Sequence, residues 1–471
     1  CRDTRRNGTN HRPVGLICSM DSLAFTLLSF LLALAILIAV HEFGHFWVAR
    51  KLGVRVLRFS IGFGKPLWKR IGKIDGTEYV LAAVPLGGYV KMLDEREGEV
   101  APAQQHRAFN RQSLKVRSAI VAAGPLFNFL FAIFAFWLIL VVGDTGTRPW
   151  VGEVTEASIA DQAGFRPGDE LLAVAGRVTP TWEAAVYAML AEAEDGEDLS
   201  VKVRDSDGNE QLLLLPGAGL AEHAENGNIL TAIGLAPKRP QVPPVIGQIV
   251  PGEAADQAGL LSGDLVLSLD GEAVSSWSEL VDLVQGRPGK PVVVELTRAG
   301  AHLSLPLVIG QREGQGQALG RIGAGVQVPA DLYDEYRTEV RFGPLDALGA
   351  AAFKTWDMSL FMVKTLGRML TGQASVKNLG GPISIAQSAG KSASYGLVYF
   401  VKFLALVSIS LGVLNLLPVP VLDGGHLLFF LIEGLKGSPL SEQAQMLGQR
   451  VGMVLLLGLM TLAFYVDISR L

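Results

Sequence analysis

Cysteine is nearly absent from this chain of 471 residues. Its two cysteines, Cys1 and Cys18, both precede the first long hydrophobic segment. The part of the chain that follows therefore contains no disulfide and no cysteine nucleophile. Charged residues are also scarce, at 18% against 49% hydrophobic residues, and the mean hydropathy is +0.34. This balance is typical of a membrane protein with soluble parts.

No basic tract interleaved with aromatic residues occurs, and the formal net charge is −4, so the composition gives no sign of a nucleic-acid partner. Four hydrophobic segments are long enough to cross a bilayer, and they predict a polytopic α-helical membrane protein. These four segments span residues 20–49, 118–143, 395–422 and 447–467. Residues 1–19 are polar and Arg-rich without periodicity, and Met20 stands directly before the first segment. We expect 1–19 to be a non-native or disordered extension, with Met20 as the natural start.

The first segment contains the motif His41-Glu42-Phe43-Gly44-His45. A spacing of four places His41 and His45 on one face of a helix, where both can bind one metal ion. Glu42 lies beside them, where a carboxylate can take a proton from water that the metal activates. Ionisable groups near the centre of a membrane helix cost roughly 2.5–3.5 kcal/mol each, and a divalent cation would compensate for this cost. The motif therefore predicts a metalloprotease site rather than two helix histidines without a ligand.

A catalytic zinc usually has three protein ligands and an open position for water, so one ligand must come from elsewhere. The third hydrophobic segment leads into Asp423, which it brings to the same side of the membrane as His41. Asp423 is the favoured third ligand, because a carboxylate near a dication stays ionised. His426, three residues later on the same helical face, is the alternative. Asn415 is a candidate for stabilising the oxyanion.

The loop 50–117 carries fourteen basic and six acidic residues. The positive-inside rule places this loop in the cytoplasm, so the metal motif lies near the cytoplasmic side and both chain termini lie outside. Within the loop, Asp75-Gly76 separates two apolar stretches and predicts a β-hairpin that continues into Gly87-Gly88-Tyr89. These residues form either ordinary turns or an edge strand that holds an extended substrate by backbone pairing.

An internal repeat follows the second segment. Asp161-Gln162-Ala163-Gly164 recurs as Asp256-Gln257-Ala258-Gly259, and Gly168-Asp169 recurs as Gly263-Asp264. Both pairs are offset by 95 residues. This constant offset predicts a duplicated extracytoplasmic α+β domain, over residues 148–238 and 239–325. Each copy resembles a PDZ domain, which binds peptides by adding a strand to its sheet; a spacer without a ligand is the alternative.

Residues 343–371 mix charged side chains with Leu, Phe, Trp and Met. A spanning helix tolerates such charges poorly, so this stretch predicts amphipathic helices on the outer membrane surface.

Taken in order, the motifs resemble the site-2 protease family of intramembrane zinc metalloproteases (peptidase family M50). The matching pieces are His41–His45, Gly87-Gly88-Tyr89, Gly124-Pro125 with Asn128, the PDZ-like pair, Gly380-Gly381-Pro382 and Asn415–Gly425. The likeness covers residues 20 to 471.

The resemblance implies Zn²⁺ held by His41, His45 and Asp423, with Glu42 as the catalyst of a metalloendopeptidase. It further implies that Asn415 and the Gly87-Gly88-Tyr89 element contact the substrate. The implied substrates are remnant signal peptides and trimmed single-span membrane proteins, such as anti-sigma factors that another protease has already shortened. The implied setting is envelope stress signalling at a bacterial inner membrane, with the PDZ-like pair in the periplasm.

The alternative is a membrane scaffold that binds periplasmic peptides through its PDZ-like pair and uses the metal only structurally. Glu42 favours the enzyme, because a structural site needs no carboxylate beside its ligands and usually has a fourth ligand. A metal transporter is disfavoured, since the sequence lacks a run of acidic residues within several of the hydrophobic segments.

Overall fold

The computed structural model describes residues 14–73, 75–193, 197–217, 229–314, 317–372 and 380–469. The chain divides into two compact units, one formed by residues 1–144 with 340–471 and the other by residues 145–339. Residues 1–13 of the predicted extension lie outside the described residues. Residues 14–19 continue the first helix instead of forming an irregular tail, because the stretch from Val14 to Ser19 carries no charge, proline or other helix-breaking signal apart from one glycine.

The helices, in chain order, are α1 (Val14–Lys51), α2 (Leu114–Val142), α3 (Ile159–Ala163), α4 (Trp182–Ala193), α5 (Ile229–Ile233), α6 (Ala254–Gln257), α7 (Trp277–Gln285), α8 (Pro344–Leu370), α9 (Pro382–Ser394), α10 (Leu397–Leu416), α11 (Asp423–Lys436) and α12 (Glu442–Ser469). Short 3₁₀ turns occupy Glu95–Glu97, Pro102–Arg107 and Phe109–Arg111.

The strands of the first unit are β1 (Val56–Ile71) and β2 (Glu78–Met92). Those that follow are β3 (Asp144–Thr147), β4 (Val151–Val154), β5 (Glu170–Val174), β6 (Arg177–Val178), β7 (Leu199–Arg204), β8 (Glu210–Leu215), β9 (Leu235–Pro237), β10 (Ile246–Ile249), β11 (Leu265–Leu269), β12 (Glu272–Ala273), β13 (Pro291–Arg298), β14 (Ala301–Val308), β15 (Gly310–Gly314), β16 (Gln317–Arg321), β17 (Ala324–Val326) and β18 (Arg337–Val340).

Among the described residues, four helices are long and apolar enough to cross a membrane: α1 from Leu23, α2, α10 and α12. This confirms the predicted class of a polytopic helical membrane protein with β-rich parts. The third span ends earlier than predicted, at Leu416, because Pro418 and Pro420 follow and proline does not continue a helix. The predicted amphipathic stretch forms a single helix, α8, which packs Ala347 and Ala351 against α2 and α10.

Strands β1 and β2 form a more folded sheet than the simple hairpin predicted at Asp75-Gly76. Ser60 pairs with Tyr89 on one side and with Val80 on the other, while residues 66–71 of the same strand pair with residues 78–82. Strand β1 folds back on itself near Gly62 and Gly64, whose φ angles of 90° and 88° suit glycine. Among the described residues, 88–92 therefore have a strand neighbour on one side only and form an edge of the sheet.

The Gly380-Gly381-Pro382 motif begins helix α9 and meets the last spanning helix. The buried carboxylate of Asp467 on α12 accepts hydrogen bonds from the N–H groups of Gly381 (3.0 Å) and Ile383 (2.8 Å). A Cβ at Gly381 would overlap that carboxylate. The motif thus lets Asp467 satisfy the free N–H groups at the start of α9.

The second unit contains the duplication in its topology. Its two four-stranded sheets have the orders β6-β5-β7-β8 and β12-β11-β13-β14, and β5 and β11 begin 95 residues apart. The helices α4 and α7 begin at Trp182 and Trp277, which keep the same offset. Each copy has its own hydrophobic core, the first around Met189 and the second around Leu280.

The two copies differ at one buried aspartate. Asp169 in the first copy accepts a hydrogen bond from the Arg166 N–H, and burial raises the pKa of its carboxyl group. The equivalent Asp264 also receives both arms of the Arg298 guanidinium, at 2.8 Å each. That guanidinium holds the pKa of Asp264 below its usual value. The second copy therefore has a charge-assisted pair that stabilises its fold.

We expect Arg298→Ala to lower the free energy of unfolding of the second copy, because the buried carboxylate of Asp264 loses its charged partner. Since the pKa of Asp264 is lowered by folding, this contribution is present above the unfolded pKa of about 3.9 and is lost as the pH falls through the folded value. Hydrogen exchange over residues 265–298 of the full chain measures it. Arg204→Ala, which breaks exposed ion pairs in the first copy, is the control and should change stability by less than about 1 kcal/mol. Equal effects of the two variants would contradict this account.

Candidate metal and active site

Three of the sequence-predicted residues meet at one point in the first unit. Asp423 Oδ2 lies 3.2 Å from His41 Nε2 and 3.5 Å from His45 Nε2, and the two Nε2 atoms are 3.2 Å apart. These are the only three His, Cys, Asp or Glu residues within the described ranges that could share a metal ion in this way. Helix α1 supplies both histidines, and α11 supplies Asp423 as its first residue.

The donor atoms fit a zinc ion. His45 Nδ1 lies 2.9 Å from the Ile120 carbonyl oxygen and donates to it, which leaves an unshared electron pair on Nε2. Asp423 Oδ2 is buried and accepts no hydrogen bond from the described residues. Electron pairs facing each other at these distances repel unless a cation lies between them. Two imidazoles and one carboxylate, with room for water, are a ligand set of catalytic zinc.

One face of α2 supports both histidines. The Ile120 carbonyl orients His45, and eight residues later the Asn128 amide nitrogen lies 3.2 Å from His41 Nδ1. The other amide atom, Asn128 Oδ1, is buried and has no hydrogen-bond partner in the described part of the chain. Turning the amide by 180° exchanges these two atoms and lets His41 Nδ1–H donate to Oδ1. His41 Nε2 then carries the free electron pair that a metal requires.

We therefore expect Asn128→Ala to weaken zinc binding about 10–100-fold, as is usual when the partner of a ligating histidine is removed. Competition with a chromophoric chelator measures the affinity. Asn128→Asp retains an acceptor for His41 Nδ1–H and should bind zinc more tightly than Asn128→Ala. If alanine and aspartate variants both bind zinc as the parent does, Asn128 does not orient His41.

Two glycines allow α1 and α2 to approach closely enough to form this site. A Cβ at Gly44, inside the motif, would overlap the Ala123 carbonyl oxygen. A Cβ at Gly124 would overlap His45 Nε2 and lie 2.7 Å from His41 Cε1. Gly124 of the Gly-Pro motif is therefore the surface against which both imidazoles rest, a role that its sequence context did not indicate.

Glu42 lines a cavity of about 860 Å³. The three converging residues, His41, His45 and Asp423, line the same cavity. The cavity is lined on one side by the sheet edge, residues 88–92, and a Cβ at Gly88 would lie 2.9 Å from Glu42 Cγ. An extended peptide paired with this edge would run beside Glu42.

Only some of the remaining residues predicted from the sequence line this cavity. Gly88 and Tyr89 line the cavity, whereas Gly87 packs under the Phe63 ring. Asn415 lies at the end of α10 and is not among the residues that line this cavity. His426 lines it but is not part of the three-residue cluster.

An ion pair that sequence reasoning missed holds α11 in place. Arg117, in the first turn of α2, contacts Glu433 of α11, and both side chains are less than one-fifth exposed. The guanidinium also lies 4.9 Å from the centre of the Phe430 ring. Because α11 begins with Asp423, this ion pair holds Asp423 close to α2, the helix that supports His41 and His45. The signal available in the sequence was an arginine at the start of a spanning segment, with no indication of its distant partner.

Comparison with known proteins identifies the family of the chain. The sequence model of Peptidase family M50 matches residues 29–459. Regulator of sigma-E protease RseP of Escherichia coli (strain K12) is 47% identical over 453 residues, which cover 96% of this chain and all of that protein. Protease RseP of Yersinia pestis is 46% identical over 454 residues, and a putative zinc metalloprotease of Vibrio cholerae serotype O1 is 44% identical over 454 residues, each with the same coverage. The chain belongs to peptidase family M50.

Proposed function

We propose that this chain cuts peptide bonds within the membrane-spanning segments of trimmed single-span proteins, of the anti-sigma-factor type, and of remnant signal peptides. The chain is a metalloendopeptidase with zinc as its cofactor and acts in regulated intramembrane proteolysis. The observation that carries the finer proposal is the meeting of His41, His45 and Asp423 beside Glu42 at the end of a spanning helix.

In this proposal His41, His45 and Asp423 hold the zinc. Zinc, when bound at such a site, lowers the pKa of water to about 7 and polarises a carbonyl group. Glu42 accepts the proton of the attacking water and returns it to the nitrogen of the leaving amine. The sheet edge around Gly88 and Tyr89 holds the substrate in an extended form. A substrate helix must therefore unwind locally before one of its peptide bonds can reach Glu42.

The chain is an inner-membrane protein, as its apolar helices and its relatives indicate. We place the loop 50–117 in the cytoplasm because its basic residues outnumber its acidic ones. This orientation puts the site near the cytoplasmic face and the duplicated unit in the periplasm. In a variant with Cys1→Ser and Cys18→Ser, a cysteine introduced into the duplicated unit at exposed Ser206 should then react with an impermeant maleimide in intact spheroplasts.

The duplicated unit bears on which substrates reach the site. We propose that its PDZ-like copies exclude substrates that still carry a folded periplasmic domain. A second role is supported by a groove of about 490 Å³ in the second copy, between α7 and strands β16 and β17. Trp277, Leu280 and Ile322 are among its lining residues, which suits an apolar peptide side chain. Peptide binding in this groove is compatible with the protease. It is also the activity on which the scaffold alternative depends.

The test uses purified protein and two substrates with one identical apolar span. One substrate ends in a short polar tail on the periplasmic side, and the other carries a folded domain there. We expect mass spectrometry to find one cut within the span of the short substrate and slower cutting of the long one. A zinc chelator should stop the cutting, and added zinc should restore it. Cleavage only in polar flanks, or cleavage that resists the chelator, would refute the proposal.

A further inference from the structure

His426 lies on α11, three residues after Asp423, and its side chain lines the cavity that contains Glu42. Its ring stands edge-on to the Phe429 ring, with the ring centres 6.3 Å apart and the planes at 89°. Within the part of the chain that the structure describes, neither ring nitrogen has a hydrogen-bond or ion-pair partner. The imidazole thus packs against an aromatic ring in the lining of the cavity, and its polar atoms have no partner among the described residues.

Such an arrangement leaves the imidazole available to a ligand. A polar group open to an active-site cavity bonds to water, or to whatever displaces that water from the cavity. His426 is not within the group of ligand atoms formed by His41, His45 and Asp423, all of which lie within 4.8 Å of one another. An imidazole carries at least one N–H in either protonation state, so a donor is present in both.

The reaction requires a donor of this kind. When water adds to the substrate carbonyl, a bond forms from the water oxygen to the carbon and the carbonyl π electrons move to the carbonyl oxygen. Glu42 receives the water proton, and the carbonyl oxygen becomes negatively charged. The C–N bond then breaks as an electron pair on this oxygen re-forms the C=O bond, and the proton passes from Glu42 to the nitrogen of the leaving amine. A donor aimed at the developing oxyanion is worth about 10²–10³-fold in rate.

We propose that His426 is a catalytic residue that donates a hydrogen bond to this oxyanion and keeps its own proton throughout. The inference rests on the proposed function. It takes the role for which Asn415 was the candidate from sequence, since Asn415 does not line the cavity. Asp423 and His426 then share one helix with different tasks, the first toward the metal and the second toward the substrate.

The test compares His426→Ala and His426→Gln with the parent in three measurements. We expect unchanged zinc content, a kcat about 10²–10³-fold lower for His426→Ala with little change in KM, and partial recovery in His426→Gln, which keeps an N–H donor. A phosphonate peptide that mimics the tetrahedral adduct should bind His426→Ala more weakly by the factor lost in kcat/KM. Affinity for the uncleaved peptide, measured in a Glu42→Gln background, should not change.

Other outcomes overturn the proposal in distinct ways. An unchanged kcat removes His426 from the chemistry, and a fall in zinc content, or a changed visible spectrum of the cobalt-substituted protein, makes it a metal ligand instead. Equal loss of affinity for the phosphonate and for the peptide assigns it to ordinary substrate binding. If the parent does not cleave at all, the proposed function fails, and phosphonate binding still decides whether His426 contacts such an adduct.

Discussion

Glu42→Gln should retain zinc and lose about 10²–10⁴-fold in the rate of cleavage. The substitution keeps the size and shape of the side chain in the cavity beside Gly88 but removes the carboxylate that accepts the proton of water, and general base catalysis accounts for a factor of this size. The three converging residues are unchanged, so metal binding should persist. Zinc content by mass spectrometry and cleavage of a trimmed single-span substrate, measured on the same preparation, check both halves.

The matched control is Glu442→Gln, which alters another glutamate that lines the same cavity. It makes the same change of charge without a position beside the histidines, and we expect it to cleave within a few-fold of the parent. Full activity in Glu42→Gln would remove the general base from the mechanism. Loss of zinc from that variant would make Glu42 a ligand and would return the site to the structural alternative.

Gly124→Ala should abolish stoichiometric zinc binding and reduce cleavage at least about 10²-fold. The added methyl group would overlap His45 Nε2 and lie 2.7 Å from His41 Cε1, so both imidazoles would have to move from their present positions. Displacements of about 1 Å at a reacting centre have effects of this size. Overpacking by one methyl group should also lower stability by about 1–3 kcal/mol, so the protein is expected to fold.

Gly458→Ala is the control for that experiment. Gly458 also lies within a spanning helix, α12, but a Cβ there would meet no atom of the other described residues within 4 Å beyond the backbone of its own helix. This variant should bind zinc and cleave as the parent does. If Gly124→Ala also binds one zinc and cleaves normally, the imidazoles do not rest on this face of α2, and the arrangement of the two histidines against Gly124 is wrong.

Much of the architecture could be predicted because it depends on local patterns. Four apolar segments predicted four spanning helices, and the structure contains them, with differences of a few residues where Ser113 caps α2 and where prolines end α10. The constant offset of 95 residues predicted a duplication, and the two sheets share one strand order. Spacing along one helix likewise predicted that His41 and His45 meet.

The contacts that complete the site depend on distant residues, and no local pattern contains them. Arg117 and Glu433 are 316 positions apart, so their pairing follows only from the packing of α2 against α11. The Gly-Pro motif gave no indication that Gly124 supports both histidines. The hairpin was expected, but the fold of β1 back on itself, which makes residues 88–92 an edge, depended on Gly62 and Gly64. Local reasoning therefore found the reactive groups more readily than the residues that position them.

The central claim is that His41, His45 and Asp423 together hold the catalytic zinc, and X-ray absorption at the zinc edge of the purified protein tests it most directly. We predict one zinc per chain with two imidazole nitrogens at about 2.0–2.1 Å and oxygen ligands at about 2.0–2.2 Å. In Asp423→Ala the metal should be lost or its oxygen shell should shrink, while His426→Ala should leave the spectrum unchanged. A third imidazole that disappears in His426→Ala, with no change in Asp423→Ala, would contradict the account and assign the third ligand to His426.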